Sequence, residues 1–119
     1  MYDLIRTYDS FNQIKINPSS PVFCDTETCE EEGFTLGGLY GQIRLVQIYQ
    51  ESWPKVIIID CFFISLHDVL DLLHPHHLVF HNGAYDLHTI NLKTETTWLP
   101  AEVDDTLYLS RLKFFTKQK

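Results

Sequence analysis

Short apolar runs rich in β-branched and aromatic side chains recur along the chain, separated by polar loops. Four of these runs predict strands at residues 22–25, 42–49, 56–60 and 77–81. A weaker alternation at residues 2–7 predicts a short edge strand, and residues 102–104 predict a last one. Because Pro54 lies in the turn between the second and third runs, we expect these two strands to pair as a hairpin.

The apolar spacing changes from a strand period to a helical period in the second half of the chain. The stripe that marks the first of these helices consists of Leu66, Val69, Leu70 and Leu73. Pro75 ends that helix, a second is predicted to begin at residues 82–83, and Asp105 is expected to cap a third. Strands followed by alternating helices and strands predict an α/β domain.

Composition indicates one globular domain over residues 1–119. Apolar residues make up 45% of the sequence, and the net charge of −7 argues against a protein that coats nucleic acid through many basic contacts. No apolar run is long enough to cross a bilayer, and the first residues lack the apolar stretch of a signal peptide. We therefore expect a cytoplasmic protein without a membrane partner.

The cysteines and histidines do not form a recognisable zinc motif. The three cysteines are odd in number and lack a Cys-x-x-Cys spacing, so free thiols are expected. A histidine-rich stretch at residues 74–77 has no second His or Cys pair to complete a set of four ligands. We interpret that stretch as a surface loop.

Two carboxylates, Asp25 and Glu27, stand one residue apart at the end of the first strong strand. Side chains alternate between the faces of a strand, so both are predicted to point the same way. Their mutual repulsion is relieved either by solvent or by a hard cation such as Mg²⁺ or Mn²⁺. An Asp-x-Glu pair is also common in solvated turns, and the pair alone leaves both interpretations open.

A further carboxylate, Asp86, lies four residues after Asn82, on one face of the second helix. The positive end of that helix partly compensates a carboxylate in its first turns. In open α/β sheets functional groups gather beyond the carboxyl ends of strands, and both acidic positions are expected at such ends. We therefore predict that Asp25, Glu27 and Asp86 converge.

Four segments carry a joint pattern: FCDTET at residues 23–28, GQIRLVQI at 41–48, HNGAYDL at 81–87 and DDTLYLS at 104–110. Together they resemble the DEDD 3′–5′ exonucleases, specifically the ribonuclease D-like proofreading domain of family A DNA polymerases. The likeness runs from about residue 22 to about residue 112. It implies a ribonuclease-H-like mixed sheet with flanking helices, in which the second strand, counted from residue 22, is antiparallel to the rest.

The resemblance also implies roles for individual residues. The carboxylates it assigns to catalysis and to a two-ion Mg²⁺ or Mn²⁺ site are Asp25, Glu27 and Asp86. The positions it assigns to contacts with the 3′ end of single-stranded DNA or RNA are Thr26, Asn82 and Tyr85.

The family's third motif, a Tyr or His followed four residues later by an Asp, does not occur between Asp105 and Lys119. The fold is therefore expected to be C-terminally truncated. Either a second chain or a longer parent supplies the missing helix, or the activity is weak or lost. The alternative is a non-catalytic remnant that binds nucleic acid or protein. Adjacent phenylalanines, Phe114 and Phe115, further predict that the chain self-associates or binds a partner through its C-terminal side.

Overall fold

The computed structural model describes residues 1–29, 42–81, 83–95 and 97–106. These residues form a six-stranded sheet with three helices. The strands are β1 (Tyr2–Ile5), β2 (Val22–Cys29), β3 (Gln42–Tyr49), β4 (Val56–Asp60), β5 (His77–Phe80) and β6 (Glu102–Asp105). The helices are α1 (Tyr8–Phe11), α2 (Leu66–Leu73) and α3 (Gly83–Thr94).

The sheet is mixed, with the strand order β1-β4-β3-β2-β5-β6. Strand β3 is antiparallel to both of its neighbours, whereas the β1–β4, β2–β5 and β5–β6 pairs are parallel. The predicted hairpin of β3 and β4 is therefore confirmed. The mixed α/β sheet, with its second strand from β2 antiparallel to the rest, is confirmed as well.

One face of the sheet carries the core of the described chain. Along β2, Val22, Cys24 and Thr26 are buried, and the residues between them are exposed. The register matches this alternation in the neighbouring strand, because the buried Ile48 of β3 lies opposite Cys24. The apolar stripe of α2 and Ile90 of α3 join the same hydrophobic cluster. Burial of this one face fixes which side chains of β2 point outward.

Strand β2 is longer than the predicted strand at residues 22–25. Pairing with β3 continues to Cys29, which lies opposite Gln42. Asp25 and Glu27 therefore both lie inside the strand, which corrects our expectation that it ends at Asp25. A register shift between Glu27 and Thr28 marks a β-bulge beside these carboxylates, and bulges of this kind re-aim the side chains next to them.

The buried carboxylate of Asp60, at the end of β4, links this strand to β3 and to the residue that follows β1. Asp60 is fully buried and accepts hydrogen bonds from Arg44 Nε at 3.0 Å, Arg6 Nε at 3.1 Å and the Phe62 amide at 3.0 Å. Burial alone would raise the pKa of Asp60, but these donors hold it below its usual value. Arg6 follows β1 and Arg44 lies in β3, so the ion pairs join the far edge of the sheet to its centre.

The beginning of α3 is held by β6. The Gly83 amide donates to Asp105 Oδ2 at 2.8 Å, because Asp105 lies opposite Phe80 at the end of β5. The Asp105 carboxylate thus accepts from the first residue of α3; that it also caps the helix following it stays a prediction. A Cβ at Gly83 would lie 2.8 Å from the Phe80 Cβ, so this close approach favours glycine. The predicted third helix lies beyond the described residues.

None of the helices in the described ranges is long and apolar enough to span a bilayer.

Candidate functional site

The first two predicted ligands share the outer face of β2. Asp25 and Glu27 are both exposed, and they lie opposite Gln47 and Leu45 of β3. This is the face opposite the core, as the alternation of the strand predicts. Both carboxylates are thus open to solvent and available to an ion or a substrate.

The Asp86 side chain contacts β2 at Thr26, on the buried face of the strand. It lies in the first turn of α3 and is only 4% exposed. The Thr26 amide donates to Asp86 Oδ1 at 3.3 Å, and the Thr26 hydroxyl donates to the same oxygen. This approach is open because β5 pairs with β2 only at Val22 and Phe23, which leaves the later edge of β2 uncovered by that strand. The site therefore forms where β2 continues and β5 has ended.

The electrostatic environment of Asp86 disfavours an isolated negative charge. Burial raises the pKa of Asp86, the charge of Asp25 raises it further, and the Thr26 hydroxyl and amide partly offset this. Among the described residues, no Lys, Arg or His forms an ion pair with Asp25, Glu27 or Asp86. A bound divalent ion would supply the missing positive charge, and all three side chains offer the hard oxygen donors that Mg²⁺ and Mn²⁺ prefer.

The Cys24 thiol next to these carboxylates is not suited to be a nucleophile. Burial raises the pKa of Cys24, and the nearby charges of Asp86 and Asp25 raise it further. The reactive form of a cysteine is the thiolate, which this environment suppresses. Cys24 therefore packs in the core as a neutral thiol, consistent with the free thiols that the sequence predicts.

Asp25 lies near enough to Asp86 for its charge to raise the pKa of Asp86, but Asp25, Glu27 and Asp86 do not form a tight ligand cluster among the described residues. In the part of the chain that the structure describes, one group of three possible ligands has donor atoms all within 4.8 Å of one another. That group is His77, Glu102 and Asp104. Two-ion sites spread their ligands around ions about 4 Å apart, so the assignment of the three carboxylates as ligands stays a prediction.

Sequence reasoning did not find the group of His77, Glu102 and Asp104. His77 Nε2 lies 2.7 Å from Asp104 Oδ2, and His77 Nδ1 lies 3.9 Å from Glu102 Oε2. The parallel register of β5 and β6 brings His77 opposite Glu102, and strand alternation adds Asp104 on the same face. The two ring nitrogens face different carboxylates, and one ion can take only one of these nitrogens. The geometry is that of a hydrogen-bonded pair, His77 and Asp104, with Glu102 beside it at the sheet edge.

The predicted substrate contacts have different outcomes. The Thr26 side chain points into the buried face, where its hydroxyl is hydrogen-bonded to Asp86. Asn82 and the Tyr85 side chain lie outside the described residues. A substrate contact by any of the three residues stays a prediction.

A concavity of about 480 Å³ adjoins Asp25 on the outer face of the sheet. The side chains that define it include Phe23, Asp25, Tyr49, Val79, His81 and Thr106. The Thr106 hydroxyl donates to the Phe80 carbonyl at 3.2 Å, and His81 Nδ1 lies 2.9 Å from Thr106 Oγ1. The lining of this concavity is largely apolar and also includes the carboxylate of Asp25 and the ring of His81. Such a lining suits a planar ring attached to a polar group.

Comparisons with known proteins agree on the fold. No protein-family model matches the sequence, and no curated protein matches it. Among solved structures, RNase D of Trypanosoma brucei in complex with RNA U12 matches with a TM-score of 0.65 at 19% identity, over 88% of this chain and 37% of that one. Escherichia coli RNase D matches with a TM-score of 0.64 at 22% identity, over 89% and 27%. The Aedes aegypti Nibbler EXO domain matches with a TM-score of 0.66 at 16% identity, over 92% and 55%.

The low sequence identity to these structures makes the likeness one of fold. The chain spans between 27% and 55% of the length of these three structures. A closer likeness to polymerase proofreading domains stays a prediction. The chain has the ribonuclease-H-like fold of the DEDD 3′–5′ exonucleases.

Proposed function

We propose that this chain is a 3′–5′ exonuclease domain that depends on a divalent metal and hydrolyses phosphodiester bonds at the ends of single-stranded nucleic acid. One observation carries the proposal: Asp86 is fixed to the strand that bears Asp25 and Glu27, at the edge left open where β5 ends. The fold shared with RNase D and the Nibbler EXO domain supports the same function.

In this proposal Asp25, Glu27 and Asp86 hold Mg²⁺ or Mn²⁺. When bound, the metal supplies a water activated for attack and a positive charge that stabilises the leaving oxygen. The exposed Asp25 and Glu27 accept the ion from solvent, whereas the buried Asp86 is held in place by Thr26. The metal charge would also offset the net charge of −7, which by itself repels a phosphate backbone.

Single-stranded RNA is the first substrate to test, because one structural relative is an RNase D in complex with RNA U12. Single-stranded DNA is the second. The concavity beside Asp25 would receive the terminal base against Phe23 and Tyr49, since aromatic side chains provide stacking surfaces for unpaired bases. We further propose that the protein acts in the cytoplasm, and that hydrolysis needs a segment carrying the third-motif Tyr or His and Asp, from a second chain or a longer parent.

The test uses a single-stranded RNA labelled at its 5′ end. The chain is assayed alone and fused to a segment that carries the third-motif Tyr or His and Asp, with Mn²⁺ or with EDTA. We expect a ladder shortened from the 3′ end for the fusion in Mn²⁺. Asp25→Asn and Asp86→Asn should each lower the rate of hydrolysis by at least about 100-fold. Substituting a residue that only hydrogen-bonds to a metal ligand already lowers metal affinity or activity by about 10–100-fold. If neither substitution changed the ladder of shortened RNA products, the proposal would be refuted.

The second candidate is a binding module without catalysis. The observation that favours it is a pair of exposed aromatic side chains, Phe62 and Phe63, at the end of β4. Arg44 stacks on the Phe62 ring at 4.0 Å, and Arg6 lies 5.5 Å from the centre of the Phe63 ring. Adjacent exposed aromatics of this kind mark interaction surfaces. RNA binding that survives Asp25→Asn but is lost in Phe62→Ala, with no hydrolysis by the fusion, would favour this candidate.

A further inference from the structure

Thr26 stands between Asp25 and Glu27 in the sequence but faces the opposite side of β2. We infer that Thr26 is a positioning residue, whose hydroxyl fixes the Asp86 carboxylate in the orientation that binds a divalent ion. The inference rests on the proposed function, because it concerns the ligand role of Asp86. It gives Thr26 a contact with a metal ligand, in addition to the predicted contact with substrate.

Two groups of Thr26, the amide and the hydroxyl, donate hydrogen bonds to the same oxygen of Asp86. The amide nitrogen lies 3.3 Å from Oδ1, and the hydroxyl donates to the same Oδ1. The two residues are 8% and 4% exposed, so water competes little for these hydrogen bonds. Hydrogen bonds to a charged carboxylate are stronger than those between neutral groups. Together they restrain rotation of the Asp86 side chain.

The amide would donate to Asp86 whatever side chain stood at position 26. The contribution specific to threonine is therefore the hydroxyl together with the branched Cβ. A β-branched residue has a restricted χ1 in a strand, and this restriction holds the hydroxyl in a fixed direction. Valine has nearly the same shape without a donor, and serine has the donor without the branch. These two replacements separate the hydrogen bond from the packing.

The consequence is a change in metal affinity that follows the hydroxyl. Groups that orient a metal ligand contribute about 10–100-fold to metal affinity. Because the Thr26 amide remains in every variant, we expect Thr26→Val to weaken Mn²⁺ binding by about 10-fold, the lower end of that range. Thr26→Ser should keep the affinity to within about threefold, since it retains the charge-assisted hydrogen bond.

The experiment is isothermal titration of the full chain with MnCl₂, arranged as a double-mutant cycle. Thr26→Val, Asp86→Ala and the double variant are compared with the wild type, and Thr26→Ser is the matched control. If Thr26 acts through Asp86, Thr26→Val has no further effect once Asp86 is alanine. Circular dichroism confirms folding of each variant, and Thr26→Ala replaces Thr26→Val in the cycle if the valine variant does not fold.

Each outcome decides the inference. An equal loss of affinity from Thr26→Val in both backgrounds would reveal a general structural role and overturn it. Unchanged affinity in Thr26→Val, with binding abolished by Asp25→Asn, would overturn the positioning role and leave the proposed metal site standing. A wild type that does not bind Mn²⁺ would overturn the proposed metal site together with this inference.

Discussion

Replacing Asp60 with asparagine should weaken the whole sheet, although Asp60 lies away from the proposed metal site. The substitution keeps the size of the side chain and an oxygen that can accept from the Phe62 amide. It removes the negative charge that pairs with Arg6 and Arg44. Arg44 lies in β3 at the β-bulge, next to Leu45, the residue opposite Glu27, so this ion pair also supports the strand that pairs with β2.

The size of the expected loss in unfolding free energy depends on how exposed Arg6 and Arg44, the ion-pair partners of Asp60, are. Removing one member of a fully buried ion pair destabilises a protein by about 3–5 kcal/mol. Asp60 is fully buried, but the Arg6 and Arg44 side chains are 51% and 34% exposed, so water recovers part of their charge stabilisation. We therefore expect Asp60→Asn to lower the free energy of unfolding by about 2–3 kcal/mol, below the range for a fully buried pair.

The assay is urea unfolding at pH 7, followed by the fluorescence of Trp53 and Trp98. A loss of this size lowers the midpoint by roughly 1–2 M urea without changing the slope. The control is Asp3→Asn, which breaks an exposed ion pair with Lys55 at 3.6 Å and should change stability by less than about 1 kcal/mol. If the two variants were equally stable, the importance of the buried ion pair would be refuted.

The pH dependence gives a second check on Asp60. Its folded-state pKa is lowered, so its ionised form stabilises the protein above the unfolded-state value of about 3.9. This contribution is lost as the pH falls through the folded-state pKa. The difference in unfolding free energy between wild type and Asp60→Asn should therefore be constant near neutral pH and narrow below about pH 4. A difference that grows in acid would contradict the assigned ion pairs.

Three other substitutions probe the neighbourhood of the proposed site. Gly83→Ala should lower the free energy of unfolding by about 1 kcal/mol or more, because its Cβ would lie 2.8 Å from that of Phe80; an unchanged melting temperature would contradict this. Asp86→Asn should stabilise the protein in EDTA at pH 7, since the pKa of Asp86 is raised; this advantage should vanish as the pH falls through that pKa, and destabilisation at pH 7 would contradict it. Burial raises the pKa of Cys61 to about 11. In a Cys29→Ser variant, the rate at which a thiol reagent labels Cys61, measured by mass spectrometry of its peptide, should therefore rise with pH up to about 11. A labelling rate that levels off at about pH 8 would contradict this.

Periodicity was sufficient to predict most of the fold. The alternation along β2 predicted the common face of Asp25 and Glu27, and the period-3.6 stripe predicted α2. Both features depend on neighbouring positions in the sequence, and a single core face then fixes their orientation. The antiparallel second strand came from the resemblance to a family, because periodicity does not specify the direction of a strand.

Contacts across the sheet were not predictable in the same way. The bond between Thr26 and Asp86 depends on where the pairing of β5 with β2 stops, and the pairing of His77 with Glu102 depends on the register of β6. The contact from Asp105 to the Gly83 amide follows from that same register. Strand order and register are set by tertiary packing, so residues distant in sequence meet only once both are known.

The central claim is that a divalent ion binds at Asp25, Glu27 and Asp86. The most direct measurement is an anomalous difference map from a crystal of the protein soaked in MnCl₂. We expect a manganese peak coordinated by Asp25, with Asp86 among its direct or water-bridged ligands. A manganese peak confined to the group of His77, Glu102 and Asp104, or no peak beside Asp25, would contradict it.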